Sequence, residues 1–233
     1  MSNILVTLND SMGSDLTVVN AARVSFGKKK ESFDAEKDSK LIRYLARNRH
    51  TSPFGHCFAS FHVCAPVFVA RQLVKHKFLR WNEISRRYVD KDTEYYLPKT
   101  WRGRAKDKKQ GSEGVVDLSS ILDTEHNTAI LGSGTLEGHV IEISEWLRET
   151  YKLLLDKGVC PEQARMVLPQ STMTEWYWSG SLDAFADMCN LRCAFDTQAE
   201  TRFVATQISD RMRRLFPVSW AALMEGLTEY KFG

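Results

Sequence analysis

Residues 57–75 change character partway along. The run 57–64, CFASFHVC, is short and rich in aromatic and β-branched residues, and reads as a strand. Pro66 follows and suits the first turn of a helix. That helix is expected to carry Val67, Ala70 and Val74 inward and to end near Lys75. Sheet and helix are thus needed together, and the rest of the chain adds mostly helix. A strand over 3–8 leads into a helical segment, VVNAARVSF. Residues 35–48 set Leu41, Ile42 and Leu45 on one side and Lys37, Lys40 and Arg43 on the other. Three helices close the chain. The first, 139–157, has a stripe of Ile143, Leu147, Thr150/Tyr151 and Leu154 and ends at Gly158. The second, 181–197, starts from Ser181 as N-cap with Leu182, Phe185 and Cys189 inside. The third, 199–215, carries Phe203, Ile208, Met212 and Leu215 and is stopped by Pro217. No internal repeat is visible, and the expected fold class is α+β.

A length of 233 residues suits a single domain over 1–233, large enough to bury a core without staples. Between 102 and 138 the composition turns polar and glycine-rich (Gly103, Gly111, Gly114, Gly132, Gly134, Gly138), which reads as a long excursion with a short helix near 117–123. Such a loop serves as a lid or a subunit contact, or is plainly disordered. Residues 81–101 read as loop followed by an extended strand, and HTSPFGH (50–56) as a turn-rich junction. The net charge of +3 is too small to argue for a nucleic-acid partner from the total. No apolar run is long enough to cross a bilayer, and the N-terminus does not read as a secretory signal. Five cysteines (Cys57, Cys64, Cys160, Cys189, Cys193) read as reduced thiols in a cytoplasmic setting. Cys189 and Cys193 lie four apart without a second ligand pair, so they read as buried small groups and no metal site is expected.

The informative stretch is 71–88, whose eighteen residues hold six Lys/Arg, one His and three aromatics. Cations suit a phosphate or pyrophosphate, and aromatics can stack on a base or flavin ring. Ser85, Arg86 and Arg87 in a row offer hydroxyl, backbone and guanidinium donors to one phosphate. Glu83, a lone acid among cations, suits a ribose hydroxyl or a positioning salt bridge. A solvated basic face or a nucleic-acid patch would have the same composition. Trp81 and Ile84, and the apolar helix before them, favour a buried anion site.

Lys75-His76-Lys77, seven residues, then Ser85 within Asn82-Glu83-Ile84-Ser85-Arg86-Arg87-Tyr88 resembles the signature of the flavin-dependent thymidylate synthases. That signature is Arg-His-Arg, seven residues, Ser, inside Asn-Glu-x-Ser-x-Arg-Tyr. Four further blocks are similar to the family in order: residues 21–26 (AARVSF), 50–56 (HTSPFGH), 164–169 (ARMVLP) and Asn190-Leu191-Arg192. The helix entering the signature, through Ala70-Arg71-Gln72, is similar as well.

The resemblance implies a central antiparallel sheet flanked by helices, and an enzyme that methylates dUMP to dTMP. FAD, NADPH and methylenetetrahydrofolate are the implied cofactors and co-substrate. Lys75, His76 and Lys77 would hold FAD, with Ser52 and Glu83 nearby. Gln72, Glu83, Ser85, Arg86, Arg87 and Arg165 would hold dUMP, chiefly its phosphate and sugar. Arg192 would face the uracil and favour loss or polarisation of its N3 proton, and His50 would lie near the flavin and the folate or nicotinamide entry. A homotetramer with shared active sites is also implied. Each residue has a plainer reading: Arg165 and Arg192 as salt-bridge partners, His50 and His56 as turn bridges, Ser85 as a turn serine.

Uracil C5 is a poor nucleophile, and no cysteine here sits in an electropositive motif that would let it add to C6. The implied route instead stabilises negative charge on the base electrostatically and takes hydride from reduced flavin. No GxGxxG fingerprint is present, so FAD would not sit on a Rossmann domain. The chain departs from the family at Lys75 and Lys77, at Asp196 where members carry His, and at Ser181-Leu182-Asp183 and Asp187. Lysine offers a point charge without arginine's planar fork. These departures keep two alternatives open: a related enzyme acting on dCMP or making a hydroxymethyl product, and a nucleotide- or RNA-binding module without flavin.

Overall fold

The computed structural model describes residues 3–89, 93–106, 111–119 and 134–225. It is an α+β fold. Four strands form one sheet in the order β1 (Leu5–Met12), β2 (Phe58–Pro66), β6 (Met173–Ser181), β3 (Arg80–Glu83). β1 is antiparallel to β2, and β3 to β6. The chain divides into two compact units. The larger gathers 4–64, 71–83 and 175–233; the smaller gathers 1–3, 65–70 and 84–174.

In the larger unit the period-2 pattern of β6 turns Trp176 and Trp178 into the core and Tyr177 outward. β2 does the same with Ala59, Phe61 and Val63. Helix α6 (Leu182–Arg192) brings Phe185 edge-on to Phe61 at 5.2 Å and to Trp178 at 5.8 Å between centroids. Helix α7 (Ala199–Leu215) buries Val204, Ile208 and Met212. Helix α8 (Pro217–Glu225) buries Trp220, whose indole N–H donates to Ser209 Oγ at 3.1 Å. The first N–H groups of α8, orphaned by helix geometry, find an acceptor far away in sequence. Val218 and Ser219 N–H donate to the two carboxylate oxygens of Asp15 at 3.0 and 2.9 Å, in the first turn of α1 (Asp15–Arg23).

Helix α2 (Lys37–Arg47) buries Ile42 and Leu45, as its spacing predicts. It also buries Asp38 completely. Arg23 Nη2 lies 3.0 Å and Lys30 Nζ 2.5 Å from its two oxygens, and the Asp34 N–H donates at 2.8 Å. Burial works against that charge, but the Lys30 and Asp34 hydrogen bonds and the Lys30 and Arg23 charges together hold the carboxyl below its ordinary value.

The smaller unit contains the start of α3 (Val67–Leu73), where the Val67 N–H donates to the Thr172 carbonyl at 2.9 Å. It also holds a hairpin of β4 (Trp101–Arg104) and β5 (Ser112–Val116), which interrupts the predicted excursion. Helix α4 (Leu136–Asp156) begins where Thr135 Oγ1 accepts the Gly138 N–H at 3.0 Å. The short helix α5 (Pro161–Ala164) follows, then a 3₁₀ turn over Arg165–Val167.

Several sequence expectations shift. The first strand is Leu5–Met12 rather than 3–8. Helix α3 ends at Leu73 and covers Val69, Ala70 and Leu73, leaving Val74 exposed; the expected face was one helical step out of phase. Pro66 closes β2, where its missing N–H suits a strand end. On α4 the covered residues include His139, Ser144 and Tyr151, while Ile143 faces out. The helix expected over 181–197 stops at Arg192, and the Thr197 hydroxyl takes the freed Leu191 carbonyl at 3.2 Å. Phe203 is exposed, and Pro217 starts α8 as well as ending α7. Of the helix expected near 117–123, residues 117–119 are irregular and 120–123 lie outside the described residues.

Candidate active site

The signature segment leaves α3 and enters β3 through a tight turn, with the His76 N–H donating to the Leu73 carbonyl at 3.2 Å and Leu79 N–H to the His76 carbonyl at 3.3 Å. The turn lies close over β6 because residue 180 is glycine. A Cβ there would sit 2.3 Å from Leu79 Cδ2, so any side chain would push Leu79 from its buried position. Strand pairing of Trp81 with Trp178 and Glu83 with Trp176 then fixes the register. Trp81 stacks on Trp176 at 4.3 Å and 19°, and its indole N–H donates to Glu83 Oε2 at 3.1 Å. Glu83 thus takes a donor from its own strand.

The signature histidine parts from its two lysines. Lys75 and Lys77 are exposed, whereas His76 turns inward, edge-on to Trp178 at 6.4 Å. There it meets Arg192, the last residue of α6. Arg192 Nε–H donates to His76 Nε2 at 3.1 Å, and Nη2–H to the Gln72 carbonyl at 3.4 Å. Burial first, and then the Arg192 charge, pull the His76 pKa down to about 4. The imidazole is therefore neutral near pH 7, with its proton on Nδ1 because Nε2 is accepting. The Gln72 side chain is engaged as well: Thr201 Oγ1 donates to its Oε1 at 3.2 Å, and its Nε2 donates to Gln198 Oε1. Gln198 and Thr201 had no signal in the sequence beyond polar residues at a helix start.

His50 and Ser52 sit on an exposed turn after α2. The His50 ring packs edge-on to Tyr44 at 6.1 Å. This turn leads to Cys57, whose carbonyl accepts the Leu182 N–H at 2.9 Å, so it approaches the first half of α6 while Arg192 ends that helix. Asp187 on α6 has its pKa raised by burial and by Asp183, against the lowering charge of Arg49. Asp187, with Asp183 beside it, thus lies near Arg49, the residue before His50. Cys189 is buried with its Sγ donating to the Ala205 carbonyl at 3.5 Å, and Cys193 is half-buried.

The smaller unit holds the other basic group. Ser85 opens a turn whose carbonyl accepts the Tyr88 and Val89 N–H groups, both at 3.0 Å. Its Oγ accepts the Arg87 backbone N–H at 3.3 Å and Nε–H at 3.4 Å. Arg86 Nη2 donates to the Met173 carbonyl at 3.2 Å, whereas Arg87 lies 3.8 Å from Glu162 on α5 and over the Tyr88 ring. Arg165, one turn beyond Glu162, is exposed. The consecutive arginines therefore have different partners.

The family described as thymidylate synthase complementing protein matches residues 7–218. The chain belongs to this family. A flavin-dependent thymidylate synthase from Thermus thermophilus is 41% identical over 227 residues, covering 97% of this chain and 78% of that protein. One from Kosmotoga olearia is 37% identical over 219 residues, covering 94% and 89%. Among solved structures, the UMP/dUMP methylase PolB from Streptomyces cacaoi bound with 5-Br dUMP aligns at a TM-score of 0.78. It shares 32% identity, and the alignment covers 98% of this chain and 96% of PolB. For a thymidylate synthase complementing protein, the pairing of the signature histidine with the Asn-Leu-Arg arginine links two separate sequence blocks of the family in one place.

Proposed function

We propose that the chain is a flavin-dependent thymidylate synthase, methylating dUMP to dTMP with methylenetetrahydrofolate as one-carbon donor, FAD as its flavin and NADPH as reductant. The carrying observation is the docking of Arg192 on the signature segment, through His76 Nε2 and the Gln72 carbonyl. A guanidinium held by two neutral acceptors keeps its full charge for a third group. Directed at a uracil ring, that charge stabilises the negative charge the base gains as its N3 proton is lost or polarised, which makes C5 the better nucleophile. Relatives named for this activity support the reading, as does a neighbour named for methylating UMP and dUMP.

The donors around His76 fit a flavin dinucleotide chemically: two exposed ammonium groups suit a pyrophosphate, on either side of an imidazole that stays neutral. Lys75, His76 and Lys77, with Ser52 and Glu83, would hold it, and His50 would stand near its entry side. Bound flavin supplies the hydride that completes the methyl group. Ser85, Arg86, Arg87 and Arg165 are assigned to the nucleotide's phosphate and sugar, with Glu83 on a hydroxyl and Gln72 beside Arg192. In the proposed homotetramer, the groups around one nucleotide come from more than one subunit. The whole of 1–233 acts as a single catalytic domain in the cytoplasm; among the described residues no helix is long and apolar enough to cross a membrane.

The test is direct. Purified protein should show flavin absorbance and convert dUMP to a product with the mass of dTMP, given methylenetetrahydrofolate and NADPH. Running dCMP and UMP in parallel identifies the preferred base and sugar. Absence of both flavin and dTMP would overturn the proposal.

A further inference from the structure

Arg192 is oriented by two groups, and one of them, the Gln72 carbonyl, belongs to the last turn of α3. Carbonyls there have no partner within their own helix and carry its negative end, so a guanidinium is a natural cap. The direction of that carbonyl depends on how the end of α3 is held. Gln72 is half-buried, and its side-chain amide is fixed from the start of α7 by two residues. Thr201, with no exposed surface, donates its hydroxyl to Gln72 Oε1 at 3.2 Å. Gln198 Oε1 accepts from Gln72 Nε2.

Both residues forgo the usual work of a helix start. Gln198 stands at the N-cap position of α7 with non-helical backbone (φ −48°, ψ 129°), yet its side chain caps nothing in its own helix. Thr201 lies in the first turn, where a hydroxyl commonly bonds nearby backbone, and it bonds Gln72 instead. One amide held at both ends can neither flip nor swing, so Gln72 is clamped between α3 and α7. Its carbonyl is then fixed under Arg192 Nη2, while His76 fixes Nε.

We propose that Thr201 and Gln198 are positioning residues for Arg192, acting through Gln72. The proposal rests on the methylation reading only for its kinetic consequence; the clamp itself is a statement about one guanidinium. Thr201→Val preserves volume and removes the donor, Gln198→Met removes the acceptor, and Thr201→Ser restores the donor.

The first measurement is hydrogen exchange at the Arg192 Nε–H, followed by ¹⁵N NMR on the full chain with no ligand. Thr201→Val and Gln198→Met should each speed it about tenfold, and Thr201→Ser should return it to the wild-type rate. The second is steady-state turnover of dUMP, in which kcat should fall about tenfold with KM almost unchanged, because Arg192 acts on charge that the base gains only as its N3 proton is lost or polarised in the reaction. Should Thr201→Val fail to fold, Gln198→Met reads the same clamp from its other end. Unchanged Arg192 exchange in the folded variants, or Thr201→Ser behaving like Thr201→Val, overturns the positioning role. A wild type that methylates no dUMP overturns the proposed function and leaves the exchange measurement to decide the clamp.

Discussion

Among the described residues, Arg192 binds two neutral acceptors and no carboxylate, which separates it from an ordinary salt-bridge arginine. Replacing it with alanine should lower kcat by about 10²–10³ with flavin still bound, the cost of removing one charge-stabilising donor. Flavin absorbance after gel filtration, read beside turnover, checks both halves. The two exposed lysines beside His76 make the opposite kind of prediction. Arginine at both Lys75 and Lys77 should tighten FAD, because a planar fork grips a pyrophosphate better than a point charge. An unchanged FAD titration would remove these residues from the flavin site. Asp38 is a residue that the sequence disguised. It lies among lysines on an amphipathic helix and reads as a surface acid, yet it is fully buried between Arg23 and Lys30. Asp38→Ala leaves two half-buried cations without their partner and should cost about 3–5 kcal/mol in urea denaturation. Neither cation lies on α2, so no local spacing could have shown the triad.

Among the elements, β6 and α8 were unassigned from the sequence, for different reasons. The pattern of β6 was visible: MTEWYWSGS alternates, and Trp176 and Trp178 turn inward as alternation requires. Its tryptophans face the signature turn and α6, which accounts for the large side chains on this inner strand. Helix α8 had no such pattern, since Pro217 reads equally as a stop and as a first helical residue. What decides between them is Asp15, more than two hundred positions earlier, which accepts the first N–H groups of α8. Asp15→Ala should therefore cost about 1–2 kcal/mol, and the loss should appear as faster amide exchange within α8. Gly180→Ala should destabilise by about 1–3 kcal/mol through overpacking against Leu79, with the β3 register perturbed beside it. The family was legible as five motif blocks in order. How those blocks interlock was not, because Gln198 and Thr201 act through a side chain far from them in sequence.

For the whole molecule, acid is the revealing perturbation. The His76 pKa is about 4 in the folded chain against an ordinary 6.5. Between those values the unfolded chain binds a proton that the folded chain refuses, so stability should fall as pH drops from 6.5 toward 4. Asp38, held below 3.8, adds a further loss at lower pH as its carboxylate is protonated. Asp187 has a raised pKa and acts in the opposite sense, gaining stability as pH falls through it. Comparing urea midpoints of the wild type and His76→Gln at pH 7, 5.5 and 4.5 isolates the histidine, and the variant should show the flatter profile. The larger unit also collects its sequence from three separated stretches, the last beginning at residue 175. On a ribosome adding about 5–20 residues per second, β1 and β2 must wait several seconds for the strand and helices that cover them. Through that interval their apolar faces are open to chaperones and to other nascent chains, so yield in a cell should depend on the speed of translation between the two halves of this core.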